Sequence, residues 1–360
     1  MPIRIGPAGI PLSCKGRTIK DGVIYTRNLE LDAIQVQFVR GIRTVEEEAL
    51  EVGRVAREAN VEVHVHAPYY TNLAGDETNV EMAFDKIITA GAMADAMGAR
   101  TLAIHCGLYN DAGPEKTKEL ITQNVLEIRD AFKEDGLKVK LGLETSGKQA
   151  IFGSLEEILD ICRAVPGVVP ILDFAHIHAR TNGGLQTQED FQKIFDACKF
   201  LNLDQYVIHF TGILYDNGNE RHHLPIKKGD LRFEPLVECI LDNDYNVSLI
   251  SHSPILEHDA MYMKIVLDRV RERREAKTQR EAMLAAQEKE KELLRKERER
   301  QALLKQKEKE KLERLKKKEQ AAKEKAKADA KKKAEAAKKK AAPKKPKKAA
   351  APKPKKKAKK

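Results

Sequence analysis

Eight short apolar runs, recurring about every thirty residues, constrain this chain more than any other feature. They lie near residues 3–5, 33–38, 61–66, 101–105, 139–144, 169–173, 206–210 and 247–251; four of them end on His, Asp or Glu, and a fifth carries His209 one residue before its end. Val, Ile and Leu fill them almost continuously, which is the pattern of strands buried on both faces. Amphipathic stretches at 45–59, 78–97, 115–132, 155–164, 188–199 and 233–241 separate them and read as helices. Thr44 followed by Glu47, and Ser154 followed by Glu157, have the spacing of capping boxes. Strands and helices alternating in this way predict a parallel α/β barrel, a (β/α)8 TIM barrel, over residues 1–270. A doubly wound open sheet is the alternative. It would gather ligands at one switch point, whereas here polar residues close nearly every run.

Beyond the barrel the character changes. Residues 271–360 hold 38 Lys and Arg against 15 Asp and Glu, a net +23, and this leaves −12 on residues 1–270. No Gly or Pro interrupts the chain from 257 to 342, and Glu292–Lys296, Glu310–Arg314, Glu313–Lys317 and Glu319–Lys323 are i,i+4 pairs. They favour a long charged C-terminal helix over 271–342, each pair adding about 0.2–0.5 kcal/mol. Leu293, Leu304 and Leu315 recur at eleven residues, as do Met283 and Leu294. That stripe reads as decoration of a solvated helix, with a seat for a partner helix as the alternative. The Lys/Ala/Pro-rich tail at 343–360 is expected to be disordered. So segregated a charge predicts a polyanionic partner, nucleic acid before a membrane surface, since the segment lacks an apolar face.

Cys14, Cys106, Cys162, Cys198 and Cys239 are scattered and form no C-x-x-C pair, so disulfides are not expected. The first residues lack a charged leader followed by an apolar core, and no run of eighteen apolar residues exists. The expectation is a cytoplasmic monomer.

The strand ends carry the chemistry. His66, His105, Glu144, Asp173 and His209 close five successive runs, and His176 follows Asp173 by three residues. Taken singly, each has a plain reading: a hydrogen-bonded core histidine, a buried ion-pair partner, a helix cap. Jointly they predict one metal site at the carboxy-terminal rim of the barrel, since imidazoles and carboxylates are the donors that zinc takes. His64 falls one layer deeper than His66 on the same face and is read as packing or support. Cys106 should point the other way, into packing.

The strings HAPYYTNLA, IHCG, LETSGKQ, LDFAHIHA, VIHF and ERHH, in this order, resemble endonuclease IV, the zinc-dependent apurinic/apyrimidinic endonuclease of the xylose isomerase-like superfamily. The resemblance runs over about residues 3–260, and the stretch LELDAIQVQFVRG is similar to the archaeal-type branch. It implies two or three Zn2+ ions, with Mn2+ as an alternative. His66, His105 and Glu144 would hold one. Glu144, bridging, with Asp173 and His209 would hold a second, and His176, Glu220 and His222 a third. The family carries Asp where Glu220 stands, and Glu where LISHSP places His252. Imidazole can still ligate there, but it removes a negative charge.

The implied reaction is hydrolysis of a phosphodiester beside an abasic sugar in DNA, with Glu144 orienting or deprotonating the attacking water. Tyr69 and Tyr70 would stack on bases, and Arg40, Arg43 and Lys148 would meet phosphates. The alternatives are a sugar isomerase or epimerase of the same superfamily, or a nucleic-acid-binding barrel with weakened catalysis.

Overall fold

The computed structural model describes residues 1–39 and 41–340. Eight strands form one parallel sheet: β1 (Ile3–Pro7), β2 (Ala33–Gln37), β3 (Glu62–His66), β4 (Thr101–Ile104), β5 (Lys140–Glu144), β6 (Val169–Asp173), β7 (Tyr206–Phe210) and β10 (Val247–Ser251). Their order is β1-β10-β7-β6-β5-β4-β3-β2. The edges β1 and β2 meet through a parallel bridge between Ala8 and Gln35, and through the Asp32 N–H donating to the Ile5 carbonyl at 3.1 Å. The sheet is thus a nearly closed TIM barrel, as the run spacing predicts.

Helices α1 (Ile19–Asn28), α2 (Glu46–Ala59), α3 (Glu77–Ala96), α4 (Pro114–Glu134), α5 (Leu155–Ala164), α6 (Phe174–Arg180), α7 (Gln188–Cys198) and α8 (Phe233–Asp242) alternate with the strands. They bury their apolar stripes against the outer face, where residues such as Val65, Leu102, Leu143, Ile208 and Leu249 are fully covered. The Ser154–Glu157 capping box forms. The one expected at Thr44 does not: α2 starts one residue later, with Val45 at its N-cap and no side-chain cap. Two elements go beyond the sequence reading. One is α1, whose weakly periodic stretch is capped by Thr18 and Asp21. The other is an antiparallel hairpin of β8 (Gly212–Asp216) and β9 (Asn219–Leu224).

Inside the barrel, alternate residues stack in layers. The floor is polar, with Glu62, His64, Gln205 and Ser248; a small apolar layer of Ala103, Ile171 and Val207 follows. The mouth holds the strand-end His, Asp and Glu.

The chain divides into two compact units, Met1–Ala276 and Lys277–Lys360. Helix α9 is continuous over Glu257–Lys340. Its first turns belong to the barrel unit, burying Ala260, Met263, Val266 and Val270 in the core with α8. In the second unit the described residues are helical, Leu293, Leu304 and Leu315 are exposed, and Glu292–Lys296 and Glu319–Lys323 are in contact. The 343–360 segment lies outside the described residues. Among the described residues, no helix is long and apolar enough to cross a membrane.

Candidate metal centre

Parallel strands all deliver their last inward side chain to the same rim. Three groups of donors result, each with its ligand atoms within 4.8 Å of one another. In the first, His66 Nε2 lies 2.7 Å and His105 Nε2 3.7 Å from Glu144 Oε2. In the second, His209 Nδ1 lies 2.8 Å from Glu144 Oε1 and 3.9 Å from Asp173 Oδ2, with His252 Nδ1 4.0 Å from that same Asp173 oxygen. In the third, His176 Nε2 is 3.4 Å from Glu220 Oε2 and 3.3 Å from His223 Nε2. Glu144 belongs to both of the first two groups, one oxygen facing each, which is the arrangement of a bridging carboxylate.

Two features fit these groups to divalent cations. The first is proton placement. His66 Nδ1 donates to the Ala67 carbonyl (2.7 Å), His176 Nδ1 to the Thr145 carbonyl (2.8 Å) and His223 Nδ1 to the His252 carbonyl (3.0 Å). Each backbone acceptor fixes the tautomer and leaves Nε2 bare toward the group, the support that metal-ligating histidines use. Bare nitrogens facing each other and a carboxylate call for a cation between them. The second is Asp173. Its Oδ1 caps α6 by accepting from the His176 N–H at 2.8 Å, so the helix-cap reading holds for that atom. Its Oδ2 is buried with no hydrogen-bond partner, and a buried carboxylate oxygen left so is costly unless it meets a cation. Imidazole and carboxylate donors suit zinc.

The electrostatics are those of a compact anionic core. Burial pushes the Glu144 carboxyl up, but His209, His105 and His66 around it outweigh burial and hold it well below the usual range. Burial brings His105 down to about 3, against the pull of Glu144, and burial with His209 beside it holds His252 well below its ordinary value. For His176 burial is overcome by Asp173, Glu220 and Glu144, and its value rises to about 9, so that without a cation its Nε2 also carries a proton, which a bound metal would displace.

The third group differs from expectation in one residue: His223, not His222, joins His176 and Glu220. The cause is a β-bulge in the hairpin. Leu214 pairs with His222 and Tyr215 with Glu220, so Arg221 is the extra residue. A bulge shifts the alternation by one; Glu220 and His223 therefore share a face, while His222 falls on the other face, exposed at the cavity's edge and outside the donor group. The hairpin is seated by the Glu220 N–H donating to the Gly147 carbonyl at 2.8 Å. A Cβ at Gly147 would come within 2.9 Å of Glu220, so the glycine of LETSG is required for this approach. The glycine of IHCG has a related task. Gly107 has φ +116°, and Asn72 of HAPYYTNLA packs where its Cβ would be, so those two motifs meet in space.

A cavity of about 540 Å3 opens over the groups. Lys148 lines its lip, as do Tyr69 and Tyr70. The two tyrosines differ. Tyr70 is 86% exposed. Tyr69 is packed on His66 and His105, ring centroids 4.6 and 5.5 Å away, and its hydroxyl donates to Gln37 at 3.2 Å. Tyr69 is therefore part of the wall rather than a wedge held out to a ligand. Arg43 is exposed and lines a groove between α1 and α2 instead of this cavity. Arg40 lies outside the described residues. His64 is buried below the site between Thr101 and Glu62, as its place in the strand implies, and Cys106 packs in the core, its thiol pushed up to about 12 by burial. Gln35 and Gln37 went unnoticed in the sequence, yet Gln35 touches both His209 and His252. Two amides spaced by two in the buried strand AIQVQ were the available signal.

A barrel of eight parallel strands with metal-capable donors converging at its mouth defines a class of α/β-barrel proteins. Within it, this chain belongs to the xylose isomerase-like TIM barrel family, whose model matches residues 24–264. It is 31% identical over 263 residues to an uncharacterised protein of Methanocaldococcus jannaschii, an alignment covering 72% of this chain and 94% of that one. To a probable endonuclease 4 of Bacillus subtilis it is 28% identical over 207 residues, 54% of this chain and 67% of the relative. Among solved structures, endonuclease IV from Thermus thermophilus superposes with a TM-score of 0.58 at 20% identity, covering 74% of this chain and 99% of that one. A D-tagatose 3-epimerase-like protein superposes with a TM-score of 0.56 at 19% identity, covering 69% and 91%. Likeness at that identity carries the fold alone.

Proposed function

We propose that this chain is a metal-dependent phosphodiester hydrolase acting at abasic sites in DNA. The observation that carries the reading is the third donor group, His176, Glu220 and His223, standing beside two groups that share Glu144. Several cations around one phosphate suit phosphodiester hydrolysis, by stabilising both the attacking and the leaving oxygen, whereas proton transfer on a sugar needs one. The sequence relation to a probable endonuclease 4 supports the same choice. Zinc ions, or manganese in their place, would supply charge stabilisation for the attacking and leaving oxygens and an acidified water. The chain's own residues do the rest. Glu144, kept ionised among imidazoles, orients the water or takes its proton. Lys148 at the lip attracts the phosphate, and the exposed ring of Tyr70 offers a stacking surface for a base. The basic segment from 271 onward supplies nonspecific, salt-sensitive affinity for DNA that an acidic barrel lacks.

The epimerase reading has the fold neighbours in its favour. It requires a second proton-transferring carboxylate on the last strand, and that position holds His252, hydrogen-bonded to Gln35 at 2.7 Å. The discriminating experiment is cleavage of a duplex carrying one abasic site, with and without chelator, beside a ketose assay. Cleavage that the chelator abolishes, and that Glu144→Gln reduces about 10²–10⁴-fold, is the expected result. A protein loaded with two or more zinc equivalents that leaves the duplex intact would overturn the reading.

A further inference from the structure

We propose that Gln35 allows at most one of His209 and His252 to act as a metal ligand, and so leaves the second donor group with a single imidazole. The inference rests on the metal-centre reading. The two rings are stacked, centroids 3.8 Å apart and planes inclined by 22°. Both turn Nδ1 toward Glu144 and Asp173. Both turn Nε2 to one side chain: Gln35 Nε2 lies 2.8 Å from His209 Nε2, and Gln35 Oε1 lies 2.7 Å from His252 Nε2.

A carboxamide has one accepting end and one donating end. An imidazole presents a bare Nδ1 only when its hydrogen sits on Nε2, and that hydrogen needs an acceptor. Gln35 offers the pair one acceptor atom. The ring at the amide oxygen can ligate; the ring at the amide nitrogen accepts there and keeps its hydrogen on Nδ1. Turning the amide over exchanges the two roles and preserves the exclusion.

The arrangement found here continues in a short relay: the Tyr69 hydroxyl donates to Gln37 Oε1 at 3.2 Å, Gln37 Nε2 donates to Gln35 Oε1 at 2.6 Å, and the Gln35 oxygen faces His252. His252 is then the ligand through Nδ1, while His209 holds its hydrogen on Nδ1 and gives it to Glu144 Oε1 at 2.8 Å. His209 becomes a positioning residue for the bridging carboxylate, and His252 replaces it in the donor set.

The test reads tautomers directly. Long-range 1H–15N spectra of the metal-free full chain, labelled on histidine and assigned with His209→Asn and His252→Asn, should show the hydrogen on Nδ1 of His209 and on Nε2 of His252. Both rings carrying the hydrogen on Nε2 would overturn the proposal. In Gln35→Glu a carboxylate can accept from both rings, so both should move to the Nε2–H form and the second zinc should bind at least tenfold more tightly by equilibrium dialysis. Unchanged tautomers and unchanged zinc affinity in a folded Gln35→Glu protein would also overturn it. A wild-type chain that takes up no zinc would instead defeat the metal-centre reading, leaving the tautomer result to stand or fall by itself.

Discussion

At the scale of single residues, the floor of the barrel shows how a buried charge is kept. Glu62 accepts from Gln205 Nε2 at 2.8 Å, from His64 Nε2 at 3.1 Å and from the Ser248 hydroxyl, with Arg4 Nε 3.5 Å away. Burial raises its carboxyl, but these partners outweigh burial and bring it down to about 2. A depressed carboxylate stabilises the fold above its unfolded value, and the contribution is lost as pH falls through the native one. Glu62→Gln should therefore cost on the order of 2–3 kcal/mol at pH 7 in urea unfolding. The gap from wild type should narrow as pH drops from 4.5 toward 2. A gap of the same size at pH 3 and pH 7 would show that the loss is steric. The rim offers a sharper contrast. His223→Ala should remove one zinc equivalent by plasma mass spectrometry, whereas His222→Ala, one residue away and exposed, should leave the metal count unchanged. Equal losses would mean that the bulge does not choose between them.

At the scale of elements, legibility follows the strength of the periodic signal. The strands read well because a stave buried on both faces must be apolar throughout, and β6, β7 and β10 fall where the runs place them. His66, His105, Glu144, Asp173, His176 and His252 also meet as read, since parallel strands leave their ends nowhere else to point. The hairpin β8–β9 was hidden for a physical reason. Its second strand is polar and half exposed, and the bulge breaks the two-residue alternation from which a face would be inferred. Gln35 was hidden because an amide inside a strand resembles a packing residue until the two rings that share it are brought beside it. Caps show the same limit at short range. Ser154 and Thr44 have the same sequence spacing, but only Ser154 accepts from the backbone N–H of its third residue, at 3.2 Å. Ser154→Ala should lower barrel stability by about 1 kcal/mol, and Thr44→Ala should leave it within a few tenths. Equal costs in thermal or urea melts would contradict the cap assignment.

At the scale of the molecule, charge is divided between two units that differ in kind. The barrel unit encloses its own core and all three donor groups. The segment beyond it is helical where described, charged throughout and without buried apolar residues. Among the described residues, none of this segment enters the hydrophobic core, and the last buried positions of α9, Val266, Leu267 and Val270, precede it. A chain ending at Ala276 should therefore fold, melt cooperatively and bind zinc in the same stoichiometry as the full chain. Its encounter with DNA should change, because each phosphate neutralised by a Lys or Arg releases a counterion and steepens the fall of affinity with salt. With the basic segment gone, affinity for undamaged duplex at low salt should drop at least tenfold. The slope of log affinity against log salt should flatten, and cleavage of abasic duplex at saturating DNA should persist. Flattened binding with retained cleavage would assign recruitment to the segment and chemistry to the barrel. An unchanged slope would place DNA affinity in the barrel despite its net negative charge, and the segment would then need another partner to explain its composition.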